Sequence, residues 1–196
     1  MSKRLGLLCM LLGSICILAA LCLLAHNCWE EWRAEQSAKV VLPIVQKAIA
    51  DGEGEDGAVE ADGEQYLGYL SIPKLSLNLP VQKKWDFDKL QIAPCRYRGS
   101  VDDGNLVIAA HNYVRHFAKL HTLEAGDSVQ FTDAYGTIHS YRIKTVEQMN
   151  PDEGHRMLTG DWDLTLFTCT YSGNQRTAVR CVEDRSKRIN TSELEW

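Results

Sequence analysis

The sequence lacks most of the marks that identify a chemistry at sight. No CxxC pair occurs, which removes thioredoxin-like redox chemistry and zinc ribbons. There is no GxSxG elbow, Walker loop, HExxH helix or dinucleotide fingerprint, and no internal repeat. Cysteine is sparse in the body. Of seven, Cys9, Cys16, Cys22 and Cys28 lie in or just after the first apolar stretch, leaving Cys95, Cys169 and Cys181. Three is too few, and odd, for a disulfide-stapled scaffold. The body also lacks an excess of either charge: from Tyr66 onward there are 16 basic and 16 acidic residues. A neutral body argues against a nucleic-acid binder that works by neutralising phosphates.

What is present begins with an anchor. Leu5 to Ala25 runs 21 residues without a charge. At 1.5 Å per residue it spans about 30 Å, the thickness of a bilayer's hydrocarbon core. Lys3 and Arg4 precede it while Glu30 and Glu31 follow, so the N-terminus is expected in the cytoplasm and the body outside. A cleaved signal peptide fits less well, because the run is long and no small-x-small site closes it. Leu21 before Cys22 argues against lipoprotein processing. The chain therefore divides into an anchor with its stub (1–28), a helix and tether (29–65) and an extracellular domain (66–196). The helix, 29–50, is expected to be interrupted at Pro43. Residues 51–64 carry seven acids and no base and are rich in glycine, which reads as a flexible, self-repelling tether. A calcium loop is the alternative there, but the acids do not follow EF-hand spacing. On this reading, removing 1–65 leaves the body folded.

The body reads as strands. Apolar and polar residues alternate over 67–72 and 75–82, a short apolar run covers 105–111, and 127–133 with 137–149 form a hairpin around Ala134-Tyr135-Gly136. Two more strands cover 163–170 and 176–183, and a short helix is expected at 115–123. About eight evenly spaced strands with few helices suggest a closed barrel or a sandwich. The 131 residues from Tyr66 suffice for one core.

Chemistry concentrates at strand ends. Cys169 closes an apolar strand before the polar turn 171–174, where a buried structural thiol and an exposed nucleophile are the alternatives. His111 abruptly ends an apolar strand and is either an edge histidine or a general acid/base at the same rim. His111, His116 and His121 recur every five residues, which fits neither one helix face nor one strand face, so zinc ranks low. Arg176 and Arg180 share a strand face about 13 Å apart; one could stabilise an oxyanion, leaving the other a surface charge.

These segments resemble the sortase family. LTLFTC (164–169) matches its TLxTC signature, RTAVRC (176–181) its arginine strand, and NLVIAAHNY (105–113) its histidine segment. YLGYLSIPKLSLNLPV, FAKLHTLEAGDSVQFTD and YGTIHSYRI follow the family's strand order, so the resemblance covers about 66–182. It implies an all-β, eight-stranded barrel with short helices. It makes Cys169 the nucleophile, His111 the general acid/base and Arg176 the oxyanion donor. Thr168, beside the nucleophile, either helps to orient substrate or is an ordinary β-branched strand residue. It implies no cofactor or metal. The implied partners are surface proteins of a Gram-positive cell carrying LPxTG-like sorting signals, and an amine acceptor such as a cell-wall precursor peptide. Only six residues separate Cys169 from Arg176, a tighter loop than most sortases have; a shifted register would hand the role to Arg180. No aspartate-aromatic lid motif precedes Tyr66, which favours an anchoring role over pilus polymerisation. The loops expected to set specificity, 84–104 and 148–162, carry no readable code. A thiol peptidase that transfers to water and a non-catalytic peptide-binding module are the rival readings.

Overall fold

A computed structural model describes residues 2–170 and 172–190. One long helix, α1 (Ser2–Ala50), leads into ten strands: β1 (Val59–Ala61), β2 (Glu64–Ile72), β3 (Leu77–Gln82), β4 (Cys95–Arg98), β5 (Leu106–Ala109), β6 (Ser128–Asp133), β7 (Thr137–Met149), β8 (Leu164–Cys169), β9 (Arg176–Glu183) and β10 (Ile189–Asn190). The pairings run β2-β3-β4-β5-β8-β9-β7, and β6 joins β7 back to β2. Eight strands thus close into a ring, with β1 added to β2 and β10 to β7. Closure removes the unpaired edges that an open sheet would expose. The expected barrel is the one observed. Alternate residues point inward: Leu70, Ile72, Leu79, Val81, Leu106, Ile108, Phe131, Tyr141, Ile143, Leu164, Leu166 and Val179 form one buried cluster. The expected short helix is one 3₁₀ segment, Ala118–Thr122.

Two pairings in the ring are parallel, β3–β4 and β5–β8. In the second, Leu106, Val107, Ile108 and Ala109 lie beside Leu164, Thr165, Leu166 and Phe167. A parallel pair needs a long crossover, and here everything from β6 through the 3₁₀ segment Pro151–Leu158 lies between its strands.

The far end of β9 is pinned by a buried ionic cluster. His139 places Nε2 2.9 Å from Asp133 Oδ2 and Nδ1 3.0 Å from Glu183 Oε1, and Arg188 grips the Glu183 carboxylate at 2.6 and 3.0 Å. Burial works against the charged imidazole, but the two carboxylates prevail and raise His139 above its ordinary range.

Two expectations for the N-terminal part are corrected. Pro43 does not interrupt α1. Its ring faces solvent, while Val41, Val45, Ala48 and Ile49 on the opposite stripe are buried against β1, β2 and β3. That packing offsets the roughly 3 kcal/mol a proline costs inside a helix. Nor is the acidic stretch a free tether. A turn bridges Glu55 to Ala58, and β1 pairs with β2 through a two-residue loop at Asp62-Gly63. Both loop residues have positive φ, 51° and 75°, as a type I′ hairpin turn requires. Ala58, Val59 and Ala61 are buried. The acids point outward, and Glu64 pairs with Lys89. The glycines serve hairpin geometry rather than flexibility.

Leu5–Trp29 of α1 is long and apolar enough to cross a membrane, with a mean hydropathy of 2.8 and no burial against the body. The turns from Val41 to Ile49 are a structural part of the barrel domain. Val45→Asp should therefore lower stability to urea by about 3 kcal/mol or more. Val40→Asp, at an exposed position beside it, should leave the midpoint nearly unchanged. Equal midpoints for both variants would show that the helix does not seat on the barrel. By the same argument, removing 1–65 should lower the midpoint, contrary to the sequence-based expectation.

Candidate active site

The register of β8 and β9 places Cys169 directly opposite Arg176, Phe167 opposite Ala178 and Thr165 opposite Arg180. The next pair, Thr170 and Gln175, is hydrogen-bonded, with Thr170 N donating to Gln175 O at 2.9 Å. Pairs alternate between hydrogen-bonded and non-hydrogen-bonded along an antiparallel ladder, so Cys169 and Arg176 form a non-hydrogen-bonded pair, whose side chains stand closest. Arg176 Nη1 donates to Gly173 O at 3.2 Å and Gln175 O at 3.1 Å, which draws the guanidinium onto the hairpin loop. The tight six-residue connection is thus compatible with a short hairpin whose own carbonyls hold the arginine.

β5 supplies the third residue. Ala110 N donates to Phe167 O at 3.2 Å, continuing the parallel register past the last ladder residue. One step further, His111 comes level with Cys169. Just past β5, Ala110 packs into the barrel core, so continued alternation gives His111 the outer face, the face of Phe167 and Cys169. Thr168 does not contact the outer cleft as expected. It is buried, and its hydroxyl donates to Ala110 O at 2.8 Å, locking the histidine strand to the cysteine strand. Strand alternation is the physical reason: a residue adjacent to an outward Cys169 must point inward.

His111, Asn112, Tyr113, Cys169, Thr170, Ser172 and Gly173 line one open cleft of about 560 Å³, and Leu24, Asn27 and Cys28 of α1 form part of its wall. Tyr171, in the turn beyond Cys169, lies outside the described residues. Cys169 is partly exposed, whereas the other two body cysteines are buried. Burial pushes the Cys95 thiol up to about 12 and raises Cys181 as well, so neither is a ready nucleophile.

The two arginines separate cleanly. Arg180, expected as a surface charge, is buried and ion-paired with Glu147 at 2.8 Å. It also donates to Thr165 Oγ1, Met157 O and Arg156 O. Arg176 spends only Nη1 on the hairpin; its Nε and Nη2 make no hydrogen bond among the described residues. Of the three spaced histidines, only His111 lines the cleft. His121 is exposed, with Nδ1 2.8 Å from Ala118 O.

His116 is the residue sequence reasoning undervalued. It is fully buried, and neither ring nitrogen has a hydrogen-bond partner among the described residues. Its ring lies 5.6 Å from that of Tyr113, which lies 5.1 Å from that of His111. Burial, with a smaller contribution from the charge of His111, lowers His116 to about 4. A neutral imidazole therefore backs the aromatic stack beneath His111 at physiological pH. No one-dimensional signal distinguishes it from an exposed loop histidine.

The sortase-domain family model matches residues 70–184, more than half of the chain. Sortase A of Bacillus anthracis is 29% identical over 137 residues, covering 65% of this chain and 58% of its own length. The chain thus spans under two thirds of that curated relative. Among solved structures, Listeria monocytogenes sortase A aligns with a TM-score of 0.59 at 18% identity, covering 65% of this chain and 92% of that one. Sortase C1 of Streptococcus agalactiae aligns at 0.56 and 24% identity, covering 66% and 72%. These structural likenesses establish a shared fold.

The burial of His116 has a measurable consequence. Its value in the folded protein lies below the ordinary unfolded value of about 6.5. As pH falls, the unfolded chain takes up this proton first, so stability declines from about pH 6.5 towards 4, by on the order of 3 kcal/mol. Urea denaturation at pH 7 and pH 4.5 should show a larger drop for the wild type than for His116→Phe. Equal drops would mean that His116 is not a buried neutral group.

Proposed function

The chain belongs to the sortase family, and from that premise we propose that it is a membrane-anchored cysteine transpeptidase of sorting signals. The observation that carries the reading is the cross-strand rung of Cys169 and Arg176, with His111, two residues past the end of β5, lining the same cleft as Cys169. In this reading Leu5–Trp29 holds the enzyme in the membrane, with the N-terminus in the cytoplasm and the barrel outside. The substrate is a surface protein bearing an LPxTG-like signal. The acceptor is an amine on a cell-wall precursor peptide or another surface protein.

The Cys169 thiolate attacks the carbonyl carbon of the threonine-like residue, forming a C–S bond and pushing the π electrons onto oxygen. Arg176 supplies N–H donors to that oxyanion from Nε and Nη2, which the hairpin leaves uncommitted. Preorganised donors of this kind are worth most where charge develops. As the tetrahedral intermediate collapses, the C–N bond breaks and His111 protonates the departing amine. A thioester remains on Cys169. The incoming amine attacks it, His111 removes its proton, and the C–S bond breaks to release the ligated product and the thiolate. Thr168 acts at one remove, by fixing Ala110 and hence the start of the His111 segment.

A hydrolase that resolves the thioester with water shares the first half of this sequence. The second half separates them: transfer predicts a ligated product when an amine is present, whereas hydrolysis gives the free acid regardless. A non-catalytic module predicts no covalent adduct at all.

Intact-mass spectrometry after mixing with a panel of LPxTG-like peptides should find a thioester on the wild type and none on Cys169→Ala. Cys95→Ala and Cys181→Ala should retain the adduct. Arg176→Lys should lose on the order of 100- to 1000-fold in kcat, nearly as much as Arg176→Ala, because an ammonium cannot reproduce a planar fork of donors. Turnover by Cys169→Ala would end the transpeptidase reading.

A further inference from the structure

Arg180 is not needed for the chemistry just described, yet it is the largest fully buried side chain among the described residues, and it is a cation. A guanidinium carries five N–H donors, and the structure finds acceptors for all of them. Nε donates to Glu147 Oε1 at 2.8 Å, and Nη1 to Thr165 Oγ1 at 3.0 Å and Met157 O at 3.2 Å. Nη2 donates to Arg156 O at 2.6 Å and meets Met149 Sδ at 4.0 Å. Two of these acceptors are backbone carbonyls of the 3₁₀ segment Pro151–Leu158, which crosses from β7 to β8. The same segment is held from outside, where Arg156 bridges Glu147 and Glu153 at 3.1 and 3.0 Å. Glu153 also closes a capping box with Asn150.

What this clamp holds in place lies beside the cleft. Three successive rungs of β8 and β9 share one face: Cys169–Arg176, Phe167–Ala178 and Thr165–Arg180. The middle rung is covered by Met157 of the clamped segment, which packs with Met149, Ala178 and Phe167. Arg180 stands about 13 Å along the strand from Arg176, beyond hydrogen-bond reach of an oxyanion there. Its reach to the cleft runs through the carbonyls of Arg156 and Met157.

We propose that Arg180, paired with Glu147, is a positioning residue for substrate recognition: it fixes Pro151–Leu158 so that the buried Met157 and Met149 back the partly exposed ring of Phe167, which presents a rigid apolar wall next to the Cys169–Arg176 rung, against which the sorting signal packs. This rests on the transpeptidase reading for the identity of the peptide but not for the clamp itself. A charge so completely saturated has no donor left for substrate, so its effect falls on peptide binding and selectivity rather than on attack. Lysine at 180 keeps the charge but cannot bond both carbonyls, Thr165 and Glu147 at once.

The test compares wild type, Arg180→Lys and the double change Arg180→Met with Glu147→Gln. The double variant removes the buried charge pair together, a replacement that often preserves folding. Three quantities are read on each: amide exchange over 151–158, the rate of Cys169 alkylation by iodoacetamide without peptide, and KM and kcat on a panel of LPxTG-like peptides varied in apolar bulk. In both variants exchange over 151–158 should quicken at least tenfold while β8 and β9 stay protected. Alkylation should stay within twofold. KM should rise about tenfold or more, with kcat changed much less and with discrimination between bulky and small apolar side chains reduced; one lost hydrogen bond to a charged group has this magnitude. Unchanged exchange in a folded variant overturns the clamp. A fall in kcat and alkylation with KM unchanged overturns the recognition role and moves Arg180 to the chemistry. Absence of any peptide adduct on the wild type sinks the transpeptidase reading and the recognition role with it, while the exchange measurement still decides whether Arg180 holds the segment.

Discussion

The parallel pairing of β5 with β8 is the constraint on which the rest of the site depends. His111 and Cys169 are 58 positions apart in the chain, and no local structure brings them together. They meet because β5 and β8 lie side by side in register, and because the buried Thr168 hydroxyl bonds the Ala110 carbonyl across that same interval. A slip of one residue would turn every side chain of one strand to the opposite face, sending Cys169 into the core and Thr168 into the cleft. The apolar inward set Leu106, Ile108, Ala110, Leu164 and Leu166 forbids that slip. Burial of ordinary aliphatic side chains on one face thus specifies the chemistry on the other.

The same reasoning extends to the N-terminus. α1 runs without a break from the apolar stretch Leu5–Trp29 to the buried turns around Val45 and Ile49. A continuous helix carries position and orientation along its length in a way that a glycine-rich coil cannot. Leu24, Asn27 and Cys28 reach the wall of the cleft, and Glu35 of α1 stands 3.5 Å from Arg115 in the loop following His111. The apolar stretch and the reactive end of the barrel are parts of one connected body, and the cleft opens beside the last turns of that stretch.

Much of the barrel was legible because period-two patterning survives wherever one strand face is buried and the other is not. β2 and β3 could be read this way, β6 and β7 as a hairpin around its turn, and β5, β8 and β9 as short strand-like runs, the last two buried on both faces over most of their length. β4 (CRYR) was missed, since its four residues show no apolar alternation and it is defined by its neighbours alone. β1 was missed for a different reason: glycines and acids around Val59–Ala61 have the composition of a coil, and only the Asp62-Gly63 dipeptide betrays a hairpin. The helix through Pro43 was misread because local propensity cannot see the packing that offsets a proline. At the site, residue types left Cys169, His111 and Arg176 as candidates beside blander readings, and only the family resemblance chose among them. The inward Thr168 and the buried Arg180 could not be assigned a face until the register was known.

Register alone does not separate the two arginines; the count of committed donors does. Desolvating a guanidinium is tolerable only when its donors are satisfied, and Arg180 meets that requirement in full inside the protein. That completeness disqualifies it from catalysis by hydrogen bonding, since a new acceptor would have to displace an existing one in a closed interior. Arg176 is partly exposed and, among the described residues, bonded through Nη1 alone, to two hairpin carbonyls that orient it without exhausting it. Four residues apart on one strand face, the two side chains are chemically identical and energetically opposite. One is bound so fully that it can act only on the fold. The other is held by one end of its fork, and in the proposed reaction its remaining donors meet a charge that exists only while a bond is breaking.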